Sequence, residues 1–166
     1  MSKIICKCSK CEKEFPQEKV FIVDDNCICV HCLYDNVKPF QIYPIGIVQN
    51  DLKRNRTNFG TVGKGGVSCI KLLLSQKPFL YKIEEERYLT IVYYLHQAKQ
   101  IRSVFKRGID GKKVGIFSSR TPDRLSRIAI QNVTLVKIEG TNLYVEGLDA
   151  VNGSPVLDIK LKFKYE

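Results

Sequence analysis

The chain has 166 residues, long enough for one domain of ordinary size plus a small appendage. It carries a net charge of +10, no apolar run approaches the roughly 18 residues of a membrane span, and Met1-Ser2-Lys3-Ile4-Ile5 leads into Cys6 with no signal peptide. These features exclude an apolar helical membrane span and lead us to expect a cytoplasmic protein, in a reducing compartment where clustered cysteines ligate metal more often than they form disulfides.

Six of the seven cysteines fall between Cys6 and Cys32. Cys8-x2-Cys11 and Cys29-x2-Cys32, with seventeen residues between them, have the spacing of two knuckles closing a tetrahedral four-thiolate zinc site. Val20 to Val23 reads as a strand and Asp24-Asp25-Asn26 as a turn, so residues 1–40 are expected to form a zinc ribbon. Its core is too small to stand without the metal, which makes the zinc structural. Cys6 and Cys27 extend each pair to Cys-x-Cys-x2-Cys. One metal cannot use six thiolates, so these two read as spare thiols packed near it; an iron–sulfur centre or a second metal is the alternative. His31, inside the second knuckle, reads as an exposed side chain.

Pro39 and Pro44 flank a short connection, which puts the boundary near residue 40 and a second domain over residues 41–166. Ile45 to Val48 opens it as a strand, and Asn50 to Gly66, polar, basic and glycine-rich, reads as a long loop able to cover a ligand. Val67 to Leu74 and Tyr88 to Leu95 are β-branched and aromatic runs, hence strands, and Cys69 reads as core. Arg102 to Lys113 is a basic connection with two glycines, read as a loop, and Val114 to Phe117 is a β-type run. Ser118 to Arg127 is then a polar loop with three arginines, Arg120, Arg124 and Arg127, whose planar guanidinium groups suit a carboxylate or a phosphate.

Two more β-rich runs, Ile128 to Ile138 and Leu143 to Val145, lead to an oxygen-rich turn, Gly147 to Pro155. The chain ends on a half-wet strand with Leu157, Ile159, Leu161, Phe163 and Tyr165 on one face. No segment keeps a helical period, so the fold class is mainly β: a small antiparallel β-barrel preceded by the zinc ribbon. An up-and-down strand pair returns to the end where it began, so the arginine loop and the turn at Asp149 are expected to meet. Together they suit a ligand with an anionic and a cationic end.

Residues 1–40 hold six lysines and six acids, which cancel, leaving 21 of the 27 basic and 11 of the 17 acidic residues to positions 41–166. Clusters at Lys53-Arg54-Arg56, at Arg102-Lys106-Arg107-Lys112-Lys113 and in the arginine loop form the footprint expected of a phosphate-rich partner, RNA, with a solvated surface as the alternative.

From about Ile42 onward the chain resembles the TrmO/YaeB-like family of S-adenosylmethionine-dependent methyltransferases, which act on threonylcarbamoyladenosine in tRNA. The family's Gly-Leu-Asp-x-x-Asp-Gly-Thr-Pro-Val-Leu-Asp-Ile-Lys block is matched by Gly147 to Lys160, with Asn152 and Ser154 as conservative changes. Its Arg-Ser-Pro-x-Arg-Pro-Asn-Pro-Ile-Gly-Leu loop is matched in part by Arg120 to Ile130, departing at Leu125-Ser126-Arg127. A His-Gln pair that the family uses beside the methyl donor stands here as His96-Gln97, while Tyr88 replaces a family histidine. The family's Pro-Arg-Gln after a Phe-Gly is absent, since Phe59-Gly60 is followed by Thr61-Val62-Gly63-Lys64; Lys64 is the candidate to substitute for the missing arginine, with a mobile solvent loop as the alternative.

The resemblance implies a β-barrel that dimerises and binds S-adenosylmethionine through Lys64, His96, Gln97, Arg120, Arg124, Ile130, Asp149, Ala150, Val151 and Asn152. An exocyclic adenine nitrogen is a poor nucleophile and needs an acceptor for its proton; Asp149 and His96 are the candidates. Read without the resemblance, Asp149 caps its turn and the arginines pair with surface acids. Two other functions stay open: an RNA-binding protein whose donor site has decayed, and a methyltransferase for a small molecule or protein.

Overall fold

The computed structural model describes residues 4–52 and 66–162. The chain divides into two compact units, Met1–Gln41 with Ala98–Arg127, and Ile42–Gln97 with Ile128–Glu166. The first opens with the antiparallel pair β1 (Ile5–Lys7) and β2 (Glu14–Pro16), then β3 (Val20–Val23), β4 (Asn26–Cys29) and the short helix α1 (Val30–Tyr34). Val23 pairs with Asn26, so Asp24 and Asp25 alone make the β3–β4 turn. Both take left-handed backbone, at φ +47° and +64°, which a two-residue hairpin requires and short polar side chains tolerate. The chain then supplies the second unit with β5 (Gly46–Gln49), β6 (Val67–Leu72) and β7 (Tyr88–Tyr94). It returns to the first for β8 (Val104–Lys106) and β9 (Lys113–Gly115), and ends in the second with β10 (Ile128–Glu139), β11 (Asn142–Glu146) and β12 (Pro155–Leu161).

The six strands of the second unit close into a barrel in the order β10-β11-β6-β5-β12-β7, every neighbour antiparallel. Closure leaves no sheet edge. Alternation along the strands sends Val48, Ile70, Leu72, Leu89, Ile91, Tyr93, Leu143, Val145 and Val156 into one core, and burying each stabilises by about 1.5–3 kcal/mol. Gly46 is there because nothing larger fits: an added Cβ would stand 2.6 Å from the Lys71 carbonyl oxygen and 2.8 Å from Leu72 Cδ2.

Three local expectations are corrected. The last strand does not alternate evenly from Leu157; Val156 is fully buried, the register shifts between Val156 and Asp158, and Ile159 resumes the core-facing row. Phe163 and Tyr165 lie outside the described residues. Cys69 sits between the buried Ser68 and Ile70, so strand alternation turns it outward, and it is only partly buried. Val114 to Phe117 is a strand only as far as Gly115, because the Ser119 amide and hydroxyl both donate to the Ile116 carbonyl and wind Ile116–Ser118 into a 3₁₀ turn.

The chain passes from one unit to the other between Gln41 and Ile42, but Ala98–Arg127, read in the sequence as part of the second domain, packs with the ribbon. The reason is a ladder of hydrogen bonds to the β3–β4 hairpin. Ile101 donates to the Ile22 carbonyl at 2.9 Å and accepts from the Asp24 amide at 2.9 Å, and its side chain is 2% exposed. Within this segment Arg102 to Lys113 is not a plain loop either: β8 and β9 pair there, and Gly111 (φ +67°) serves the connection.

Candidate functional site

In the first unit the fold gathers the four knuckle cysteines. The Sγ atoms of Cys8, Cys11, Cys29 and Cys32 all lie within 4.8 Å of one another. Tetrahedral coordination at a Zn–S distance of about 2.3 Å has edges of about 3.8 Å, and Cys11 Sγ to Cys29 Sγ is 3.9 Å. The residues therefore fit a tetrahedral dication. Local backbone prepares them: the Cys29 amide donates to Cys8 Sγ at 3.3 Å, and Cys29 caps α1 by accepting from the Cys32 amide at 3.4 Å. The amide bond from Cys29, foremost, holds the Cys8 thiol down to about 6, while the hydrogen bond with the Cys29 thiol pushes Cys32 up to about 12. Crowded thiols resist ionising together, and a bound cation removes that cost. Among the described residues the buried cluster around the four thiols is Cys8, Ile28 and Cys29, a small apolar core for a free-standing fold. Cys6 and Cys27 are outside the four-sulfur group and part-buried, with Cys27 raised by burial; His31 is exposed.

In the second unit the candidate residues meet at the barrel end where β7 finishes and β12 begins. The turn before β12 is tied down on every side. Tyr93, buried in the core, donates its hydroxyl to the Asp149 carbonyl at 2.9 Å. Asn50, directly after β5, donates to Ser68 Oγ and to the Ala150 carbonyl, both at 2.9 Å, and accepts from the Leu52 amide at 3.1 Å. Asn152 accepts from the Asn50 amide at 3.1 Å and donates its own amide to the Leu52 carbonyl at 3.0 Å. Gly153 donates to the Val48 carbonyl and takes φ +82°, where an L side chain would be strained.

His96 lies over this turn. Its Nδ1 shares a 3.4 Å hydrogen bond with the buried Ser154 hydroxyl, and its Nε2 stands 3.7 Å from where a Gly153 Cβ would be. Asp149 reaches solvent, and its carboxyl makes no hydrogen bond or ion pair among the described residues. Atoms crowding it on the barrel side nevertheless strip enough water to hold it above the ordinary carboxylate range. So the turn does not use this carboxylate as a cap. The carbonyls of Ala150 and Val151 already accept from Asn50 and Ser154, and Ala150 is buried. Ile130 is 58% exposed on β10, Gln97 is exposed beside His96, Tyr88 begins β7, and Lys64 lies outside the described residues.

Arg120 and Arg124 belong to the first unit. Neither pairs with a carboxylate among the described residues: the nearby Asp123 bonds Arg102, at 3.4 Å. Arg120 is exposed, and Arg124 donates to the Ser119 carbonyl at 3.4 Å. Sequence reasoning missed the four residues that hold the turn, Asn50, Ser68, Tyr93 and Ser154. The alternation of β6 and β7 does point Ser68 and Tyr93 inward, and a polar atom pointed inward needs a partner, but the partners are distant in sequence.

A sequence model of the tRNA-methyltransferase O N-terminal domain family matches residues 58–165. An S-adenosyl-L-methionine-binding protein of Archaeoglobus fulgidus is 30% identical over 119 residues, which are 70% of this chain and 85% of that one. A human tRNA (adenine(37)-N6)-methyltransferase is 33% identical over 84 residues, 49% of this chain and 19% of that protein. The crystal structure of TrmO from Pseudomonas aeruginosa superposes with a TM-score of 0.59 at 23% identity, over 76% of this chain and 57% of that one. This chain thus spans most of the archaeal relative but about a fifth of the human enzyme.

Proposed function

This chain belongs to the tRNA-methyltransferase O N-terminal domain family, and from that premise we propose that it is an S-adenosylmethionine-dependent methyltransferase acting on an adenosine of tRNA. The observation that carries the reading is the turn at the barrel end, tied down by Tyr93 and Asn50 and held against His96 through Ser154, whose Asp149 carboxyl makes no hydrogen bond or ion pair among the described residues. When bound, the donor supplies an electrophilic methyl on a sulfonium, along with ribose hydroxyls, an amino group and a carboxylate. Asp149 suits the hydroxyls and the cationic groups. Arg120 and Arg124 suit the carboxylate or an RNA phosphate, an assignment that rests on residue chemistry and family resemblance.

The adenine amino nitrogen must lose a proton as it gains a methyl group. A carboxyl raised by burial accepts a proton more readily than an ordinary aspartate, and His96, oriented by Ser154, is the second acceptor on the same barrel end. In-line displacement asks little more of the protein than position and exclusion of water. Asn152 then acts by holding Asn50 and the turn, and threonylcarbamoyladenosine is the acceptor the resemblance implies. A structural zinc on Cys8, Cys11, Cys29 and Cys32, a homodimer and a cytoplasmic location complete the proposal. Among the described residues no helix is long and apolar enough to cross a membrane.

The test is incubation of the full chain with methyl-labelled donor and total RNA, followed by identification of the labelled nucleoside. Titration calorimetry with the donor accompanies it. Asp149→Ala and Arg120→Ala each remove a charge-assisted contact of about 1.5–3 kcal/mol, so each should weaken donor binding roughly 10- to 150-fold. Wild-type protein that binds RNA but no donor would replace this reading with that of an RNA-binding protein whose donor site has decayed.

A further inference from the structure

The excess charge is not spread evenly over residues 41–166. Ala98–Arg127 holds nine basic residues (Lys99, Arg102, Lys106, Arg107, Lys112, Lys113, Arg120, Arg124, Arg127) against Asp110 and Asp123, a balance of +7 out of the chain's +10. In the barrel unit three lysines are paired locally: Lys82 with Glu85 at 3.3 Å, Lys137 with Glu139 at 2.7 Å and Lys160 with Asp158 at 2.6 Å. In the β8–β9 hairpin, by contrast, Asp110 takes Arg107, and Lys106, Lys112 and Lys113 make no ion pair among the described residues.

Lys106 and Lys113 are also directly opposite each other across the hairpin, and both are exposed. Side chains opposed in this way have Cβ atoms roughly 5 Å apart, and like charges there destabilise the pairing. Nothing within the hairpin offsets that repulsion. A polyanion does, because phosphates bridging the two ammonium groups turn the repulsion into binding. The apex adds an apolar residue, Ile109, 92% exposed between Gly108 and Asp110, able to pack on a base.

The hairpin is mounted on the ribbon. The Asp24 carboxylate accepts from the Ser103 amide at 3.0 Å and from its hydroxyl, and Ser103 in turn accepts from the Ile116 amide at 3.0 Å. These bonds and the Ile101 ladder fix both ends of the segment that carries β8 and β9.

We propose that the Val104–Gly115 hairpin, through Lys106, Lys112 and Lys113, is a phosphate-binding element for RNA, held in position by the cysteine-rich ribbon. The inference rests on the reading of tRNA as the substrate and names the surface that grips it. The experiment is equilibrium binding of fluorescently labelled tRNA to the full chain as a function of salt. Wild type is compared with Lys106→Ala/Lys112→Ala/Lys113→Ala and with a charge-matched barrel variant, Lys82→Ala/Lys137→Ala/Lys160→Ala.

Each lost phosphate contact lowers the log–log salt slope by about 0.7–0.9. Wild type should therefore lose about 20- to 40-fold more affinity than the hairpin variant between 50 and 200 mM salt, whereas the barrel variant should follow wild type. Wild-type NMR amide shifts of Ile101 and Ser103, which bond the ribbon at Ile22 and Asp24, exclude misfolding in the hairpin variant. Equal losses in the two triple variants would reduce the hairpin to bulk charge, and an unchanged hairpin variant would assign those lysines to a partner other than RNA; either result overturns the proposal. If no nucleoside is methylated yet tRNA binding still depends on the hairpin, the enzyme reading fails and this one stands.

Discussion

Replacing Asn50 with alanine deletes three side-chain hydrogen bonds at once, to Ser68 Oγ, the Ala150 carbonyl and the Leu52 amide. Two of the stranded partners sit in the dry part of the barrel, since Ser68 is 2% and Ala150 1% exposed. At about 0.5–1.5 kcal/mol net per bond, and more where a buried group is left unpaired, the loss sums to about 2–4 kcal/mol. That corresponds to a fall in melting temperature of roughly 4–16 °C for a chain of this size. Asn152→Ala removes a single, exposed acceptor and should cost no more than about 1.5 kcal/mol. The assay is thermal and urea denaturation of both variants and the double mutant, with donor titration on each. Asn50→Ala should also weaken donor binding, because the turn bearing Asp149 loses its tie to β5 and β6. Stability within about 0.5 kcal/mol of wild type, the range of an unremarkable surface change, would refute the view that this network fixes the turn.

Gly46→Ala should force β5 away from β6, since the new methyl would meet the Lys71 carbonyl at 2.6 Å; a loss of about 1–3 kcal/mol in urea denaturation is expected. Elemental analysis should find one zinc per chain, and Cys29→Ser should release it, unfold residues 1–40 and leave the barrel folded, as judged by a retained cooperative thermal transition. The Ser103 hydroxyl, foremost, holds the Asp24 carboxyl below its ordinary value of 3.8. A depressed folded-state pKa means stabilisation that is complete above the unfolded value and lost as pH falls through the folded one, so the joint between ribbon and Ala98–Arg127 should weaken only below about pH 4. Amide shifts of Ile101 and Ser103 followed by NMR should titrate with a midpoint under 3.8 in wild type and not at all in Asp24→Asn.

The parts of the fold legible in the sequence are those where a local rule decides. Knuckle spacing predicts the four-sulfur cluster because two short turns suffice to bring each pair of thiols together. Runs of β-branched and aromatic residues predict β6, β7 and β11, whose inner rows are continuous. Where a single residue breaks the period, as at Leu157, the pattern misleads: a face drawn through Leu157, Ile159 and Leu161 looks regular in sequence, yet the register shift after Val156 makes Val156 the buried one. The site divides along the same line. His96 and the turn at Asp149 were legible through family motifs, but Asn50 bonds residues 18 and 100 positions away, and no local pattern encodes such a partner.

The charge distribution shows what a linear reading does to a surface. Counted along the chain, residues 1–40 are neutral and all of the net positive charge lies beyond them, which separates the ribbon from RNA binding. Folding returns Ala98–Arg127 to the ribbon through Ile22, Asp24 and Ile101, residues unremarkable in sequence because their bonds are mostly backbone to backbone. The consequence is energetic. If the ribbon folds only with its metal, then losing the metal also removes the partners of the Ile101 amide and carbonyl and of the Ser103 amide and hydroxyl. With the Ile101 side chain no longer covered, the hairpin loses its fixed base. A flexible hairpin must be ordered anew each time it meets a phosphate backbone, at about 1–2 kcal/mol per residue fixed, so on the proposed reading removing the zinc should weaken RNA binding through the hairpin.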